Sequence, residues 1–376
     1  MAGEGTDLRF EAPDDATART IRRELAHWYA AERRDLPWRR TRDPYAIWVS
    51  EAMLQQTRVE VVKDYWPRFL ERFPTAVALA EADEEAVLEA WSGLGYYRRA
   101  RALQAAARVI ASEHGGEFPR ELDAALSLPG VGPYTAGAVV SIAYDEPAPL
   151  VDGNVERVFA RLFGLDGVKS SGPLVRASWA AARFFIERAT DGIPPSAWNQ
   201  ALMELGALVC TPKNPSCAVC PVAASCVARR DDTAEELPRA KARRAPVDVS
   251  LEIYVVERGG RWLLEQRSEG GLMAGMWQFP TVETTGTGLF PDEPAGPLAW
   301  VLEPEHDLLE ISHGITHHRI RARVRVARVP DGVDVAATRA LTWVRPDEAP
   351  ELALTGMARK VARRLSPEGD TLFGAG

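Results

Sequence analysis

The chain has 376 residues, of which 46% are hydrophobic and 26% charged. At about 100 to 200 residues per domain, this length predicts two or three domains and excludes a minimal scaffold. The 45 basic and 53 acidic residues leave a net charge of −8, so any contact with nucleic acid must be local. There is no apolar run long enough to span a membrane, and Met1–Asp15 lacks the pattern of a secretory signal. We therefore expect a soluble protein of the cytoplasm.

The first half of the chain has a helical pattern. From about Thr20 to Arg229, apolar residues recur every three to four positions, and Pro and Gly mark the helix ends. This predicts an all-α domain over residues 20–229, preceded by a flexible N-terminus over residues 1–19. The pattern is clearest in Ile21–Trp28, Ala86–Trp91, Ala102–Ile110 and Val155–Phe163.

The second half has a different pattern. Residues 230–246 are polar and poor in apolar side chains, which predicts an interdomain linker. Beyond it the hydrophobic period approaches two, and a helix is predicted at about Leu354–Leu365. We expect an α+β domain over residues 247–368 and a flexible tail over residues 369–376. The strand patterns are Val247–Val256, Arg261–Gln266 and Ile320–Val329, and the linker's basic residues are Arg239, Lys241, Arg243 and Arg244.

All four cysteines lie within 17 residues, at Cys210, Cys217, Cys220 and Cys226. Four thiolates so close in sequence can surround one metal centre, either zinc or an iron-sulfur cluster. Disulfides are a third possibility, disfavoured by the expected compartment. The spacing alone does not choose between the two metals.

Two turns have features of nucleic-acid contact. Ser127–Gly137 has the form of a helix-hairpin-helix, in which Gly130 and Gly132 expose backbone N–H groups that suit a phosphate. The alternative is an ordinary Gly-rich turn between helices. Gly93–Arg101 combines aromatic and basic residues, including Tyr96, as expected beside nucleic acid. A solvated basic helix start is its alternative.

Two carboxylates could carry chemistry. Glu51 has Ile47, Trp48 and Leu54 as neighbours about one helical turn away. An ionised carboxylate on an apolar face is costly, so its pKa should rise, as a general acid requires. The alternative is a first-turn helix acid behind Ser50.

Asp152 follows an apolar stretch and precedes a predicted helix. Its default interpretation is an N-cap.

The combination of these motifs resembles the MutY family of A/G-specific adenine DNA glycosylases, from about Leu36 to the end of the chain. The resemblance implies a multidomain fold, with an all-α helix-hairpin-helix glycosylase domain followed by an α+β Nudix-like domain. It also implies that the four cysteines hold one [4Fe-4S] cluster. The matching stretches are Leu36–Arg39, Asp43–Thr57, Trp91–Arg101, Ser127–Gly137, Val151–Val158, Asn199–Gln200 and Cys210–Cys226.

The resemblance also implies residue roles. Glu51 would protonate the adenine, Asp152 would stabilise the sugar cation, and Tyr134 and Asn154 would position these groups. Trp38, Arg39 and Gln200 match residues around the extruded base, and Gln55, Gln56 and Tyr96 match residues inserted into the duplex. Related lyases have a lysine where Tyr134 stands, and no lysine lies between Lys63 and Lys169. Base removal without strand cleavage is therefore expected.

The second domain is similar to the Nudix fold in Arg261–Arg267 and Gly271–Pro280. The paired glutamates that would hold Mg²⁺ are missing where Gly286–Pro297 stands, so we expect binding without hydrolysis. MutY relatives recognise 8-oxoguanine through a Phe-Ser-His loop. The matching residues are Ile315, Thr316 and His317, with Ile for Phe and Thr for Ser.

The expected partner is duplex DNA that contains adenine opposite 8-oxoguanine or guanine, bound by a monomer in the bacterial cytoplasm, associated with the nucleoid. Two alternatives remain. One is a related glycosylase for uracil or thymine mismatches, and the other is a catalytically silent lesion sensor.

Overall fold

The structure, a computed structural model, describes residues 8–187, 191–241, 245–267, 273–289, 302–330 and 341–366. Several sequence predictions fall outside these ranges. They concern the first seven residues, Arg243 and Arg244 of the linker, positions 271–272 and 290–297 of the Nudix-like stretches, and the tail. The chain separates into two compact units, Met1–Ala242 and Arg243–Gly376.

Helices make up the regular structure of the first unit in its described residues, as predicted. Prolines start several of them at the first position, where an N–H has no helical partner, and Asp43 accepts the N–H of Tyr45 at the start of one. The helices are α1 (Asp15–Glu32), α2 (Pro44–Leu54), α3 (Val59–Arg72), α4 (Ala76–Glu81), α5 (Glu84–Ala90), α6 (Arg98–Glu113), α7 (Leu122–Ser127), α8 (Pro133–Tyr144), α9 (Gly153–Leu162), α10 (Gly172–Glu187), α11 (Pro195–Leu208) and α12 (Val227–Arg230).

The core of this unit is rich in large aromatic side chains. Trp48, Trp91 and Trp198 are fully buried. Burial of such rings gives the largest hydrophobic contribution per residue. Helices α2 and α11 both pack against α8, and α9 packs against α11. This arrangement places the starts of α8 and α9 near the end of α2.

Described residues near both ends of this unit make contacts that their composition does not predict. The sequence indicates a flexible N-terminus up to residue 19, whereas α1 begins at Asp15 and the Phe10 ring lies 5.0 Å from that of Phe163. The predicted linker is likewise attached to the helical unit over its first part. The N–H of Lys169 donates to the Arg239 carbonyl at 2.8 Å, and Leu237 is buried. These contacts are not visible in sequence because their partners lie far away along the chain.

The second unit contains two sheets and a helix, which confirms the predicted α+β class. One sheet has the order β5-β1-β7-β6, with β1 and β7 parallel and the other pairs antiparallel. The other sheet has the order β2-β3-β4, and β8 pairs with β3. The elements are β1 (Val247–Val255), β2 (Glu257–Arg258), β3 (Arg261–Gln266), β4 (Trp277–Gln278), β5 (Thr281–Glu283), β6 (Glu303–Ile315), β7 (His318–Arg328), β8 (Leu341–Val344) and α13 (Gly356–Leu365).

Strand β7 alternates as predicted from Ile320 to Val324, whereas beyond it Val326 is half-buried and Ala327 is buried. Ile320, Ala322 and Val324 are buried in the core, whereas Arg321 and Arg323 are exposed on the other face, as the period of two requires. Among the described residues of both units, no helix is long and apolar enough to cross a membrane.

Candidate active site

Glu51 lies inside a buried helix, not at its start. Helix α2 begins with Asp43 as N-cap and Pro44 at its first position, so Glu51 falls in the third turn. The side chain of Ser50 donates back to the Ile47 carbonyl at 2.7 Å, as serines do within helices. The alternative of a first-turn acid behind Ser50 is therefore wrong. Glu51 is 5% exposed.

Tyr134 is the hydrogen-bond donor to this carboxyl. It is the second residue of α8, which begins at Pro133 after the Gly-rich hairpin, and its hydroxyl donates to Glu51 Oε2 at 2.6 Å. Burial raises the pKa of Glu51 to about 7, although the Tyr134 hydrogen bond and the charge of Arg39 oppose the shift. Burial also raises the pKa of the Tyr134 hydroxyl well above its ordinary value. The tyrosine is thus a neutral donor to a carboxyl that holds its proton near neutral pH.

Asp152 is an N-cap, as its default interpretation predicts, and it faces the same cavity as Glu51. Its Oδ1 accepts the N–H groups of Asn154 at 2.9 Å and Val155 at 2.7 Å, and its Oδ2 accepts the Asn154 side-chain amide at 2.9 Å. Three such donors at a helix N-terminus favour the ionised form.

The two carboxyl groups differ in their preferred charge. Burial raises the pKa of Asp152, which works against the expected anion, while its three N–H donors and the Arg157 charge lower that pKa. The charge of Asp152 in turn raises the pKa of Glu51. Glu51 has one hydrogen-bond donor against three for Asp152, so Asp152 ionises first. The pair can hold one proton and one negative charge together.

A chain of hydrogen bonds extends from Asp152 along α9. The Arg157 guanidinium donates to Asn154 Oδ1 at 2.9 Å and, on its other side, to the Cys210 carbonyl at 2.8 Å. One turn further, Arg161 donates to Cys210 Sγ at 3.3 Å. The same helix therefore supports the carboxylate and the loop of cysteines.

A cavity of about 570 Å³ brings together all the predicted catalytic and base-binding residues, with two of the predicted DNA-contacting ones. This volume is within the range of small-molecule pockets. The side chain of Arg39 is engaged by Glu204, and the Gln200 amide donates to the Ser196 carbonyl at 3.1 Å. The predicted residues among those that line the cavity are Trp38, Arg39, Glu51, Gln55, Gln56, Tyr134, Asp152, Asn154 and Gln200.

Glu204 is a cavity residue that sequence reasoning missed. It is fully buried and accepts two hydrogen bonds from Arg39, at 2.9 and 2.8 Å, and further ones from Arg34. Burial by itself would raise the pKa of Glu204, but the bonds from Arg39 and Arg34 outweigh it and lower the pKa to about 2. Its position four residues after Gln200, on the same face of α11, is a signal that could have indicated it.

The predicted DNA-contacting residues fall into two groups. Gln55 and Gln56 follow the end of α2 at the cavity rim, and Gln56 has a φ of 58°. Tyr96, Gly130 and Gly132 do not line this cavity. Tyr96 is 51% exposed, with a φ of 48°, in a turn before α6.

The hairpin requires a glycine at its turn. Gly130 has a φ of 70°, and a Cβ there would lie 2.5 Å from the Cβ of Ala102. Gly132 is the N-cap of α8 and has no side-chain cap, so the first N–H groups of that helix are not satisfied by a capping side chain.

The four cysteines are free and partly buried. Burial, together with the charges of the other three nearby thiols, raises the pKa of the Cys220 thiol to about 11. In the part of the chain that the structure describes, no three His, Cys, Asp or Glu side chains have the arrangement that a single metal ion needs. The disulfide alternative is not realised.

The predicted recognition loop of the second unit is the turn between β6 and β7. Ile315 pairs with His318, so Thr316 and His317 form a two-residue connection. The Thr316 hydroxyl donates to the Ile315 carbonyl at 2.7 Å and lies 3.4 Å from Nδ1 of His317. The Val247 N–H donates to the His317 carbonyl at 2.9 Å, which ties the turn to β1.

Comparison with known proteins identifies relatives of both units. Residues 49–183 match the model of the HhH-GPD superfamily of base excision DNA repair proteins, and residues 253–364 match that of the NUDIX domain. The adenine DNA glycosylase of Rattus norvegicus is 35% identical over 93% of this chain and 78% of its own length. That of Homo sapiens is 38% identical over 72% of this chain and 58% of its own length.

A solved structure of a thermostable thymine-DNA glycosylase is similar to the helical unit. It is 28% identical, with a TM-score of 0.51, and the match covers 58% of this chain and 98% of that one.

Ionisation of Glu51 should make the fold less stable at higher pH. Its pKa rises from 4.5 to about 7 on burial, so between these values the folded chain keeps a proton that the unfolded chain has lost, and stability falls as pH rises. Glu51→Gln removes this dependence. As pH rises from about 4 to about 8, the free energy of unfolding of the variant should increase relative to that of wild type by up to about 3 kcal/mol. Urea unfolding at the two pH values measures this difference. An equal difference at both pH values would contradict the raised pKa.

Proposed function

The chain belongs to the adenine DNA glycosylase family, and we propose that it removes adenine paired with 8-oxoguanine or guanine in duplex DNA, without cutting the strand. Its membership makes it an enzyme of base excision repair that cleaves an N-glycosidic bond. The opposite base, the residue roles and the cluster are the proposed part. Such a substrate would place a bacterial form of the protein with the nucleoid in the cytoplasm.

The observation that carries the proposal is the pair of unlike carboxyl groups in one cavity. Glu51 is a buried acid with a pKa of about 7, and Asp152 accepts three N–H groups. Cleavage of a glycosidic bond passes through an oxocarbenium-like state, which needs a proton for the leaving group and a negative charge for the sugar. The two groups match these two needs.

In the proposed reaction, the Glu51 carboxyl donates its proton to N7 of adenine as the bond to the sugar carbon breaks. The leaving base takes the bonding electrons, and Asp152 stabilises the positive sugar. The ionised Glu51 then accepts a proton from the attacking water, which restores the acid. Tyr134 holds the Glu51 carboxyl by its hydroxyl, and Asn154 orients Asp152.

The absence of strand cleavage follows from the nucleophile available. A lyase reaction needs an amine that attacks the sugar, and a partly buried tyrosine stands at the matching position of the hairpin. Its hydroxyl is a poor nucleophile because burial raises its pKa well above the ordinary value.

The adenine must leave the duplex to reach this cavity. We assign insertion into the duplex to Gln55, Gln56 and Tyr96, since two of these residues lie at the cavity rim and the third is exposed. The amides after Gly130 and Gly132 are assigned to a phosphate. The extruded base would be bound by Trp38, Arg39 and Gln200.

We also assign one [4Fe-4S] cluster to Cys210, Cys217, Cys220 and Cys226. Four partly buried free thiols, with an arginine N–H directed at one sulfur, are a donor set that suits such a cluster. When bound, it would order the loop beside α9 and add an electron-transfer centre.

The loop Ile315–His317 is assigned to recognition of 8-oxoguanine. A hydroxyl and an imidazole at an exposed turn can bond to groups that guanine lacks. The Ile in place of the family's Phe weakens stacking and leaves the hydrogen-bonding groups of Thr316 and His317 in place.

Glu51→Gln should abolish catalysis and leave binding intact, because it removes the transferable proton and keeps size and polarity. We expect single-turnover release of adenine opposite 8-oxoguanine to fall by about a hundredfold or more. Wild-type release should slow as pH rises through about 7, since the acid form is lost there. Retention of the rate within about tenfold, or 1.4 kcal/mol, would exclude Glu51 as the acid.

The matched control is Glu156→Gln. Glu156 is a buried acid of α9 that accepts the Ser170 N–H at 2.9 Å and does not line the cavity. The Glu156→Gln variant should be less stable than wild type but should release adenine at the wild-type rate. Duplexes with uracil or thymine mismatches, assayed in parallel, separate the two alternative functions: release of those bases would indicate the related glycosylase, and no release from any duplex would indicate a silent sensor.

Purified protein should contain about four irons per chain and absorb broadly near about 400 nm. Metal analysis and absorbance measure this without any assay of activity. A colourless preparation with one equivalent of zinc would overturn the cluster assignment.

Thr316→Ala with His317→Ala should reduce the preference for adenine opposite 8-oxoguanine over adenine opposite guanine by about tenfold or more, at about 1 to 3 kcal/mol per good contact. Single-turnover rates on the two duplexes give the ratio. Ser312→Ala with His306→Ala is the control, because it removes a hydroxyl and an imidazole from exposed positions of β6 away from the turn. If the double variant at the turn slows both duplexes equally, the turn is not the reader.

A further inference from the structure

One buried arginine connects the two loops to which insertion into DNA is assigned. Arg99 is the second residue of α6 and is 8% exposed. Its Nη1 donates to the carbonyls of Ala52 at 2.9 Å, Met53 at 2.9 Å and Gln55 at 2.6 Å. These carbonyls belong to the C-terminal end of α2, where backbone acceptors have no partner within the helix.

The other terminal nitrogen of Arg99 reaches the second loop. Nη2 donates to the carbonyls of Leu94 at 3.0 Å and Gly95 at 3.1 Å, and to the Thr57 hydroxyl at 3.2 Å. Leu94 and Gly95 directly precede Tyr96, and Thr57 directly follows Gln56. A single guanidinium thus holds the chain on both sides of the first insertion segment and on one side of the second.

Both segments have backbone conformations that need support. Gln56 has a φ of 58° and Tyr96 a φ of 48°, in the left-handed region that costs energy for residues other than glycine. Such conformations persist when surrounding contacts determine them. The Arg99 guanidinium supplies these contacts and also lies over the rings of Trp91, at 5.3 Å, and Tyr96, at 5.7 Å.

The charge of Arg99 is directed to the backbone. Burial lowers its pKa to about 10, and Arg98 adds to this, so Arg99 remains a cation at neutral pH. No carboxylate forms an ion pair with it within the described ranges. Its positive charge is favourable at the C-terminal end of α2, where the helix dipole is negative. A lysine has one donor group and cannot make the same planar, divided set of contacts.

We propose that Arg99 is a positioning residue for base extrusion: it holds the Gln55–Gln56 and Tyr96 loops in the arrangement that enters the duplex. It lines a separate cavity with the hairpin and not the one with the carboxyl groups, so it takes no part in breaking the glycosidic bond. The proposal rests on the function proposed above, because extrusion is the step that it serves.

The test compares Arg99→Lys and Arg99→Gln with Arg22→Gln. Arg22 is also a buried arginine, 2% exposed, that donates to the Phe185 carbonyl at 2.7 Å and stacks on Trp198, but it contacts neither loop. It reports the general cost of losing such a side chain. All variants are used under conditions in which circular dichroism shows them folded, and Arg99→Lys alone decides if Arg99→Gln does not fold.

Extrusion is read with duplex DNA that carries 2-aminopurine at the target position opposite 8-oxoguanine, because the fluorescence of this base rises when it leaves the stack. With stopped-flow mixing, the Arg99 variants should slow this rise by about tenfold or more, equivalent to about 1.4 kcal/mol. Arg22→Gln should stay within about threefold of wild type. An unchanged rise for the Arg99 variants, or equal slowing by Arg22→Gln, overturns the proposal.

Hydrogen exchange in the free protein separates this proposal from the proposed function. The amides of residues 55–57 and 94–97 should exchange at least about tenfold faster in Arg99→Lys than in wild type or Arg22→Gln. Unchanged exchange in both segments would show that Arg99 does not hold them. If wild type instead released no adenine, the function would fail while the exchange result still decided the role of Arg99.

Discussion

The hydrogen bond from Tyr134 to Glu51 is the contact on which the arrangement of the candidate site depends. It joins α2 to the first turn of α8 at 2.6 Å, and it needs the Gly130 turn to bring the start of α8 to that place. The bond itself lowers the pKa of Glu51, yet burial prevails and raises it to about 7. If the interior were packed less tightly, water would reach Glu51 and its pKa would fall to that of an exposed glutamate.

Helix α9 positions the second carboxyl group of the site, Asp152. Its N-cap is Asp152, and its next two turns present Arg157 to the Cys210 carbonyl and Arg161 to the Cys210 sulfur. Asp152 and the thiol loop are consequently both supported by one helix of ten residues.

Local patterns in the sequence predicted the features that local physics decides. The alternation of β7 and the apolar neighbours of Glu51 follow from periods of two and 3.6. The role of Arg99 did not follow, because its acceptors include carbonyls 44 to 47 positions away, and the segment alone resembles a phosphate-binding helix start. Glu204 was missed for the same reason, since it pairs with Arg39 across 165 positions. The positive φ of Gln56 and Tyr96 likewise depends on contacts distant in sequence.

The two-residue turn between β6 and β7 limits which changes in sequence the second unit can accept. The ladder between β6 and β7 and the bond from Val247 to the His317 carbonyl hold the turn's backbone through main-chain groups, and the Thr316 hydroxyl adds a bond to the Ile315 carbonyl. Exchange of Ile315 leaves these main-chain bonds in place, whereas Thr316 has a φ of 54°, in the region that favours glycine. An insertion that slipped the register by one residue would instead turn the arginines of β7 inward and its valine and isoleucine outward. The turn thus tolerates a different side chain at Ile315 better than it tolerates a change in length.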